Sequence, residues 1–110
     1  MDYVKNITPC MPFAMKDLIA VRENCVVSMA LSKLENCPVT LLAFGEKEGV
    51  SQEQYFGDTL YIVVEGIMHM MLEDGERDVK EGELVVIPSQ TLHAIGYAGS
   101  FKVLQITLSE

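Results

Sequence analysis

The sequence predicts an all-β domain in which the strands close into a sandwich or a barrel. Short runs rich in β-branched and aromatic residues recur at intervals of about ten residues, and turn-forming residues separate them. Some of these runs, such as Leu84–Ile87, are apolar at every position, whereas a sheet with one exposed face would alternate. No stretch shows the repeated strand and helix pattern of a parallel sheet. These observations favour a closed double sheet covered on both faces.

The predicted strands lie within residues 26–108 and form the barrel, while residues 1–25 form an N-terminal arm. Within the arm only Ala14–Val21 looks helical, and its length predicts at most one turn. Asp74-Gly75 is typical of a tight hairpin turn, and the polar segment Gly45–Gly57 is predicted to be a loop. The strands are predicted over Val26–Lys33, Val39–Phe44, Thr59–Val64, Ile67–Leu72, Asp78–Lys80, Leu84–Ile87, His93–Ala98 and Phe101–Leu108.

Size and composition predict one domain that associates with itself. The chain has 110 residues, which is an ordinary length for a single domain. Hydrophobic residues make up 49% of it, a high share for so small a protein. Because large exposed apolar patches are rare on monomers, we expect the excess to be buried against a second subunit, in a homodimer.

The charge and hydropathy of the chain argue against nucleic acid and membrane partners. There are 16 acidic and 8 basic residues, which gives a net charge of −8, and the basic residues are scattered singly. Binding of a phosphate backbone needs clustered cations, so nucleic acid is an improbable partner. No apolar run is long enough to cross a bilayer, and residues 1–12 lack the pattern of a secretory signal. We therefore expect a cytoplasmic protein.

Several common chemistries find no support in the sequence. The three cysteines, Cys10, Cys25 and Cys37, are odd in number and form no CxxC pair, so we expect reduced thiols rather than disulfides or a zinc knuckle. There is no GxSxG elbow, no P-loop and no GxGxxG motif.

One segment carries a family likeness. The spacing resembles that of the second cupin motif, G-x5-P-x-G-x2-H-x3-N, which is matched at Gly82, Pro88 and His93. The motif's second glycine is replaced here by Gln90, and its asparagine by Tyr97. In this pattern Gly82 makes a turn before a buried strand, and Pro88 ends that strand where no N–H donor is needed. The chain then reverses, and the resemblance implies that His93 points into the barrel.

A weaker likeness precedes Gly66. This residue matches the closing glycine of the first cupin motif, G-x5-H-x-H-x3,4-E-x6-G, but Thr59 stands where the glutamate ligand belongs. Depending on loop length, the two histidine positions of the motif fall at Gln52 and Gln54 or at Glu53 and Tyr55. The chain thus resembles the small single-domain cupin 2 proteins of bacteria, which implies a cupin-type jelly-roll, or double-stranded β-barrel, over most of its length. The fold alone implies no function.

The resemblance also raises the question of a metal. A typical cupin centre has three imidazoles and one carboxylate, and this chain contains only His69 and His93. A three-histidine site within one subunit is therefore impossible. His93 and Glu53 are the remaining candidate ligands, and with a glutamine carbonyl and waters they would hold a divalent transition metal weakly. No cofactor is assured by these residues.

Strand alternation divides the other candidates between the two faces of the barrel. If the motif places Thr59 and Tyr61 inside, Met68 and Met70 follow them inside, and His69 faces outward. Methionines of this kind either fill the core or form an adaptable apolar pocket wall. Tyr97 shares its parity with His93 and is expected to point the same way. The predicted ligand pocket contains His93, Tyr61, Tyr97, Gln54, Met68 and Met70.

Three functions remain open from the sequence. The leading hypothesis is a module that binds a small organic ligand in the barrel pocket and is non-catalytic or weakly metal-dependent. The alternative is a metal-dependent enzyme of the isomerase or dioxygenase type, with an atypical centre of Glu53, His93 and a glutamine. The third is a purely structural role in assembly through an apolar outer face.

Overall fold

The computed structural model describes all 110 residues and confirms the all-β fold. The arm contains one 3₁₀ turn, Met15–Asp17, so the structure has no helix long and apolar enough to cross a membrane. Eight strands follow: β1 Val26–Ala30, β2 Val39–Phe44, β3 Gly49–Glu53, β4 Asp58–Leu72, β5 Gly75–Lys80, β6 Leu84–Ile87, β7 His93–Gly96 and β8 Phe101–Leu108.

Two antiparallel sheets share the long strand β4, which bends at Gly66. The first half of β4 pairs with β8 and β6, so the first sheet has the order β1-β2-β8-β4-β6. The second half pairs with β5 and β7, which gives the order β5-β4-β7-β3 in the second sheet. Gly66 has φ +79°, and a Cβ atom there would lie 2.7 Å from the carbonyl oxygen of Ser100. Only glycine fits this bend, which joins two predicted strands into one.

The main core lies between the two sheets, and we call its end near the bend at Gly66 the closed end. There the rings of Phe44 and Phe101 stack with centroids 4.5 Å apart. Alternate residues of strands β2 to β8 point into this core, as the period of a strand requires. Its buried members are Phe44, Tyr61, Val63, Met68, Met70, Val79, Ile87, Ile95, Phe101 and Val103.

The arm covers part of the outer face of the first sheet. Ile19 of the arm is buried there against Leu41 and Leu104. The Lys102 ammonium donates a hydrogen bond to the carbonyl oxygen of Lys16 at 2.6 Å and forms a 3.1 Å ion pair with Glu65. The protein's own N-terminal segment therefore covers the outer side of β2 and β8 at Leu41 and Leu104, whereas Leu84 and Val86 of β6 stay about half exposed, contrary to the expectation that both faces are covered.

Some predicted boundaries were wrong. The predicted loop Gly45–Gly57 contains β3, which the sequence concealed because Val50 packs against the core while its polar neighbours face outward. The last strand before Phe101 ends at Gly96 rather than Ala98, because φ is +98° at Gly96 and +64° at Tyr97. Such angles leave the extended region and turn the chain.

Candidate ligand site at the barrel mouth

Polar side chains gather at the end of the barrel opposite Gly66. Thr59 and Tyr61 of β4 pair in register with Thr107 and Gln105 of β8. The hydroxyls of Thr59 and Thr107 are 3.2 Å apart. His93, the first residue of β7, faces them from the second sheet. We call this region the mouth and define it by Glu53, Tyr55, Thr59, Tyr61, His93, Gln105 and Thr107.

A buried histidine–tyrosine pair lies at the centre of the mouth. Nε2 of His93 is 2.9 Å from the hydroxyl oxygen of Tyr61, and Nδ1 is 2.9 Å from the carbonyl oxygen of Thr91. A carbonyl can only accept, so Nδ1 carries a proton. In the neutral ring Nε2 then accepts from the Tyr61 hydroxyl. The fold thereby selects both the tautomer and the orientation of His93, which is 3% exposed.

Tyr55 links this pair to the solvent. Its half-buried ring is tilted against His93, with centroids 5.9 Å apart. Burial raises the pKa of its hydroxyl; hydrogen bonding to Gln105 opposes that rise, and the neighbouring Glu53 carboxylate adds to it. Burial also strongly raises the pKa of Tyr61, with further contributions from Tyr55 and Glu53. Both phenols therefore stay protonated at neutral pH and remain available as hydrogen-bond donors.

The structure brings together only some of the predicted pocket residues. Tyr61 and His93 meet as described, and Met68 and Met70 point inward as strand alternation predicts. Both methionines are 0% exposed and belong to the packed core, and neither lines any of the larger cavities. Gln54 is exposed, because it follows the end of β3 and lies in the connection to β4.

The predicted orientation of Tyr97 was wrong. Parity would have carried it into the barrel with His93, but strand β7 ends one residue earlier and the backbone turns away. Tyr97 is 47% exposed. Its ring lies close to Gly49, because a Cβ atom added to Gly49 would be 2.7 Å from two carbons of the Tyr97 ring. Instead of entering the barrel, Tyr97 packs on its outside.

Tyr97 lines a separate cleft of about 380 Å³ on the outer face of the second sheet. Ala94 and Met71 contribute to this cleft, and they alternate with the inward-facing His93 and Met70. The remaining lining residues are Ser51, Gln52, Leu72, Glu73, Leu92 and His93. Of the residues that line the cleft, only His93 also belongs to the mouth.

Sequence reasoning missed three members of the mouth. The sequence indicates Tyr55 only as one of the alternative histidine positions of the first motif, and no motif singles out Gln105 or Thr107. A signal for the last two was present in β8. Both share the parity of the buried Phe101 and Val103, so the inward side of an apolar strand becomes polar towards its end.

The donor atoms of the mouth do not match the metal centre that the resemblance implied. No group of three or more His, Cys, Asp or Glu side chains has an arrangement that would hold a metal ion. Thr59, at the position of the expected carboxylate, is 1% exposed and hydrogen-bonded to Thr107. Glu53 lies opposite His93 in the β3–β7 register, but both ring nitrogens of His93 already have partners within the protein. These residues do not form a three-imidazole, one-carboxylate site.

Comparison with known proteins supports the cupin resemblance. No family model and no curated protein matches the chain. A solved cupin superfamily protein from Desulfitobacterium hafniense is 38% identical over 97% of this chain and 98% of its own, with a TM-score of 0.93. A conserved protein of unknown function from Streptococcus pyogenes is 18% identical, covers 100% of this chain and 97% of its own, and has a TM-score of 0.92. A cupin 2 conserved barrel protein from Leptotrichia buccalis is 23% identical over 94% of this chain and 50% of its own, with a TM-score of 0.86. The fold, the retained His93 and the identity to the Desulfitobacterium protein show that this chain belongs to the cupin superfamily.

Proposed function

We propose that this cupin binds a small organic molecule at the mouth and that it prefers a cation. The observation that carries the proposal is the buried Tyr61–His93 hydrogen bond, connected through Tyr55 to the half-buried Glu53 and Gln105. Burying polar groups costs free energy unless they are hydrogen-bonded. A connected set of polar groups that reaches from the interior to the surface is the arrangement that ligand recognition uses.

The ligand would bind at the rim rather than deep in the barrel. Below Tyr61 the interior is filled by fully buried side chains such as Met68 and Met70. Tyr55 lies between β3 and β4, outside any strand, so its ring is the group best placed to move aside. A ligand that replaced this ring would meet the Tyr61 hydroxyl, the Gln105 amide and the Glu53 carboxylate.

The charge distribution favours a cationic ligand. Glu53 is the only charged side chain that interacts with the two phenols. Arg77 is paired with Asp74. The remaining basic residues lie near the closed end (Lys47, Lys80, Lys102) or on the arm and the segment after β1 (Lys5, Lys16, Arg22, Lys33).

An organic cation at the rim would therefore find a carboxylate and two aromatic rings, whereas an anion would find no positive partner. Contact between a cation and an aromatic face contributes about 0.5–2 kcal/mol. The net charge of −8 adds a long-range attraction for cations.

Binding can be tested with three probes of similar size: tetramethylammonium, the neutral tert-butanol and acetate. We expect tetramethylammonium to shift the NMR signals of Tyr55, Tyr61 and His93 at lower concentration than the other two. Glu53→Gln should weaken that binding about tenfold, which corresponds to about 1.4 kcal/mol. Glu46→Gln is the matched control, since Glu46 is exposed and lies in the β2–β3 connection, away from the mouth.

The outcomes separate the two parts of the proposal. If tert-butanol binds as well as tetramethylammonium, and Glu53→Gln changes nothing, ligand binding stands and the preference for cations is wrong. If no probe shifts the signals of the mouth, the mouth is not a binding site for small organic molecules. Stoichiometric divalent metal in protein purified without an affinity tag, lost in His93→Ala, would favour the metal-dependent enzyme instead.

A further inference from the structure

The cleft on the outer face of the second sheet, which we call the outer cleft, contains two residues with a strained backbone. Tyr97 has φ +64° and Gln52 has φ +57°, and both line the outer cleft. A positive φ is uncommon outside glycine, and for a residue as bulky as tyrosine it is an outlier. Strain of this kind persists only where the surrounding structure holds it, and it is concentrated at functional sites. The two outliers therefore point to a function for the outer cleft.

The strained turn at Tyr97 holds its ring in one place. Gly96 turns the chain out of β7 with φ +98°, and a Cβ atom there would collide with the carbonyl oxygen of Glu48. The backbone N–H of Tyr97 donates a 2.9 Å hydrogen bond to the same carbonyl. The ring of Tyr97 lies against Gly49, where the missing side chain leaves room for it. These contacts fix the half-exposed ring as a wall of the outer cleft before any ligand binds.

A β-bulge supplies the polar part of the lining. The pairing of β3 with β7 shifts in register between Val50 and Glu53, so Ser51 and Gln52 lie in the bulge. Bulges are common next to binding sites, where they change the direction of a side chain. Both bulge residues are exposed and line the outer cleft, to which they bring a hydroxyl and a carboxamide.

The rest of the lining is mostly apolar and suits a flat ring. Met71 and Ala94 pair in register and lie side by side on the outer face, and Leu92 contributes a 46% exposed side chain. The volume of about 380 Å³ is in the range of small-molecule sites, which combine apolar walls with a few polar groups. An aromatic ring can stack on tyrosine and contact the thioether of methionine.

The charge around the outer cleft favours an amine over an acid. Glu73 is the only carboxylate that lines the cleft, and no lysine or arginine lines it. His69 lies on the same face of β4, but its ring bonds both Asp78 and Glu76, so this cluster adds no net positive charge. An ammonium group in the outer cleft would therefore meet a negative charge, whereas a carboxylate would be repelled.

We propose that the outer cleft binds a small aromatic amine, independently of the ligand at the mouth. The ring would stack on Tyr97 and contact Met71, and the ammonium group would pair with Glu73. The amide oxygen of Gln52 would accept a further hydrogen bond from the amine. A ring distinguishes this ligand from a compact organic cation, for which the flat apolar lining offers no matching face.

Benzylamine, benzyl alcohol and benzoate test the proposal, because they share one ring and differ in charge. Benzylamine should shift the NMR signals of the Met71 and Ala94 methyl groups at the lowest concentration and benzoate at the highest. Benzylamine is also an organic cation, so the signals of Tyr55 and Tyr61 report separately on binding at the mouth.

The contribution of the charge can be measured by removing it. Glu73→Gln should weaken benzylamine binding about threefold, the effect of one exposed ion pair, and leave benzyl alcohol binding unchanged. Glu81→Gln is the matched control, because Glu81 is exposed in the turn between β5 and β6, away from the outer cleft. Benzoate that binds as tightly as benzylamine would overturn the assignment of an amine.

Two substitutions of Tyr97 separate recognition from structure. Tyr97→Gly removes the ring and also the strain, because glycine adopts a positive φ freely, and it should weaken benzylamine binding at least about fivefold. Asn24→Gly is the matched control, since Asn24 also has a positive φ, of +60°, but precedes β1 in the other sheet. Tyr97→Leu keeps an apolar side chain on the same backbone without the aromatic face, and it should weaken binding as well.

Two results would overturn the proposal. The first is that none of the three probes shifts the signals of Met71 and Ala94, or that the shifts are confined to Tyr55 and Tyr61, which would place benzylamine at the mouth. The second is that both substitutions of Tyr97 leave benzylamine binding intact. Neither result bears on the binding of tetramethylammonium at the mouth, which Glu53→Gln tests separately.

Discussion

The two ends of the barrel are built from the same strands and differ in chemistry. At the closed end β8 contributes Phe101 and Val103, both almost fully buried, and Phe101 stacks on Phe44. Further along the same side of β8, Gln105 and Thr107 face the polar mouth. The closed end shows that apolar volume is sufficient to join the two sheets. The polar groups at the mouth are the ones that the proposed ligand would contact.

The difference has an energetic consequence. Burial of a large apolar side chain contributes about 1.5–3 kcal/mol, whereas a buried hydrogen bond contributes about 0.5–1.5 kcal/mol net. Substitutions at the closed end should mainly change stability, and substitutions at the mouth should mainly change binding. Two substitutions test this distinction, and a third concerns the outer surface.

The largest effect is expected at the closed end. Phe101→Ala removes one ring of the stacked pair and leaves a cavity beside Gly66, so the free energy of unfolding should fall by about 3–5 kcal/mol. Urea denaturation measures this loss. Phe56→Ala is the matched control, because Phe56 is 87% exposed and its removal should change stability little. Equal effects of the two substitutions would show that the closed end does not dominate the stability of the barrel.

A smaller effect is expected at the mouth. Tyr61→Phe keeps the ring but removes the donor to His93, so the free energy of unfolding should fall by about 1–2 kcal/mol. Tetramethylammonium binding should weaken in this variant, while Tyr3→Phe, at a residue 66% exposed, should change neither property. If Tyr61→Phe lowers stability as much as Phe101→Ala and leaves binding intact, the mouth is part of the structural core.

Alkaline titration examines the same hydroxyl. Burial raises the pKa of Tyr61, so the folded state holds this proton more tightly than the unfolded state does. The stabilisation of the folded state by the protonated Tyr61 hydroxyl is complete below about pH 10, the pKa of tyrosine in the unfolded chain. It is lost as the pH rises through the pKa of Tyr61 in the folded state. The ultraviolet absorbance of tyrosinate should therefore show a delayed phase, to which both Tyr61 and Tyr55 contribute, and Tyr61→Phe should reduce its amplitude.

The smallest effect concerns the chain's second histidine, which lies outside the barrel. The outward orientation of His69 agrees with the expectation from strand alternation, and its ring bonds Asp78 at 2.8 Å and Glu76 at 3.0 Å. The hydrogen bond to Asp78 raises its pKa most, followed by that to Glu76. The bonds between the charged His69 ring and these carboxylates therefore stabilise the folded state fully below the pKa of about 6.5 that His69 has in the unfolded chain. This stabilisation disappears as the pH rises through the pKa of His69 in the folded state.

For an exposed cluster this contribution is about 0.5 kcal/mol. We expect the stability difference between the wild type and His69→Gln to shrink as the pH rises from about 6 to about 9. NMR titration should show that Asp78→Asn lowers the His69 pKa more than Glu76→Gln does. If the difference in the free energy of unfolding between the two proteins does not change with pH, the two carboxylates do not stabilise the charged ring of His69.

Much of the fold could be predicted because its signals are local. Turn residues and β-rich runs predicted most of the strands, and the spacing of Gly82, Pro88 and His93 indicated the cupin barrel. Strand β3 escaped prediction because Val50 is the only residue of its Gly49–Glu53 segment that packs on the core, so a strand at the sheet edge resembled a polar loop.

The sequence by itself determined the all-β class, the motif around His93 and the faces of Tyr61, Met68, Met70 and His69, because alternation within a strand is a local property. Only the tertiary structure decided which polar groups meet. Tyr55, Gln105 and His93 come together through pairings between distant segments, which a single sequence does not display. It also decided that Tyr97 lies outside, because a positive φ at one residue cancels the alternation beyond it. The barrel was therefore predictable from its pattern, while the composition of its mouth depended on long-range register.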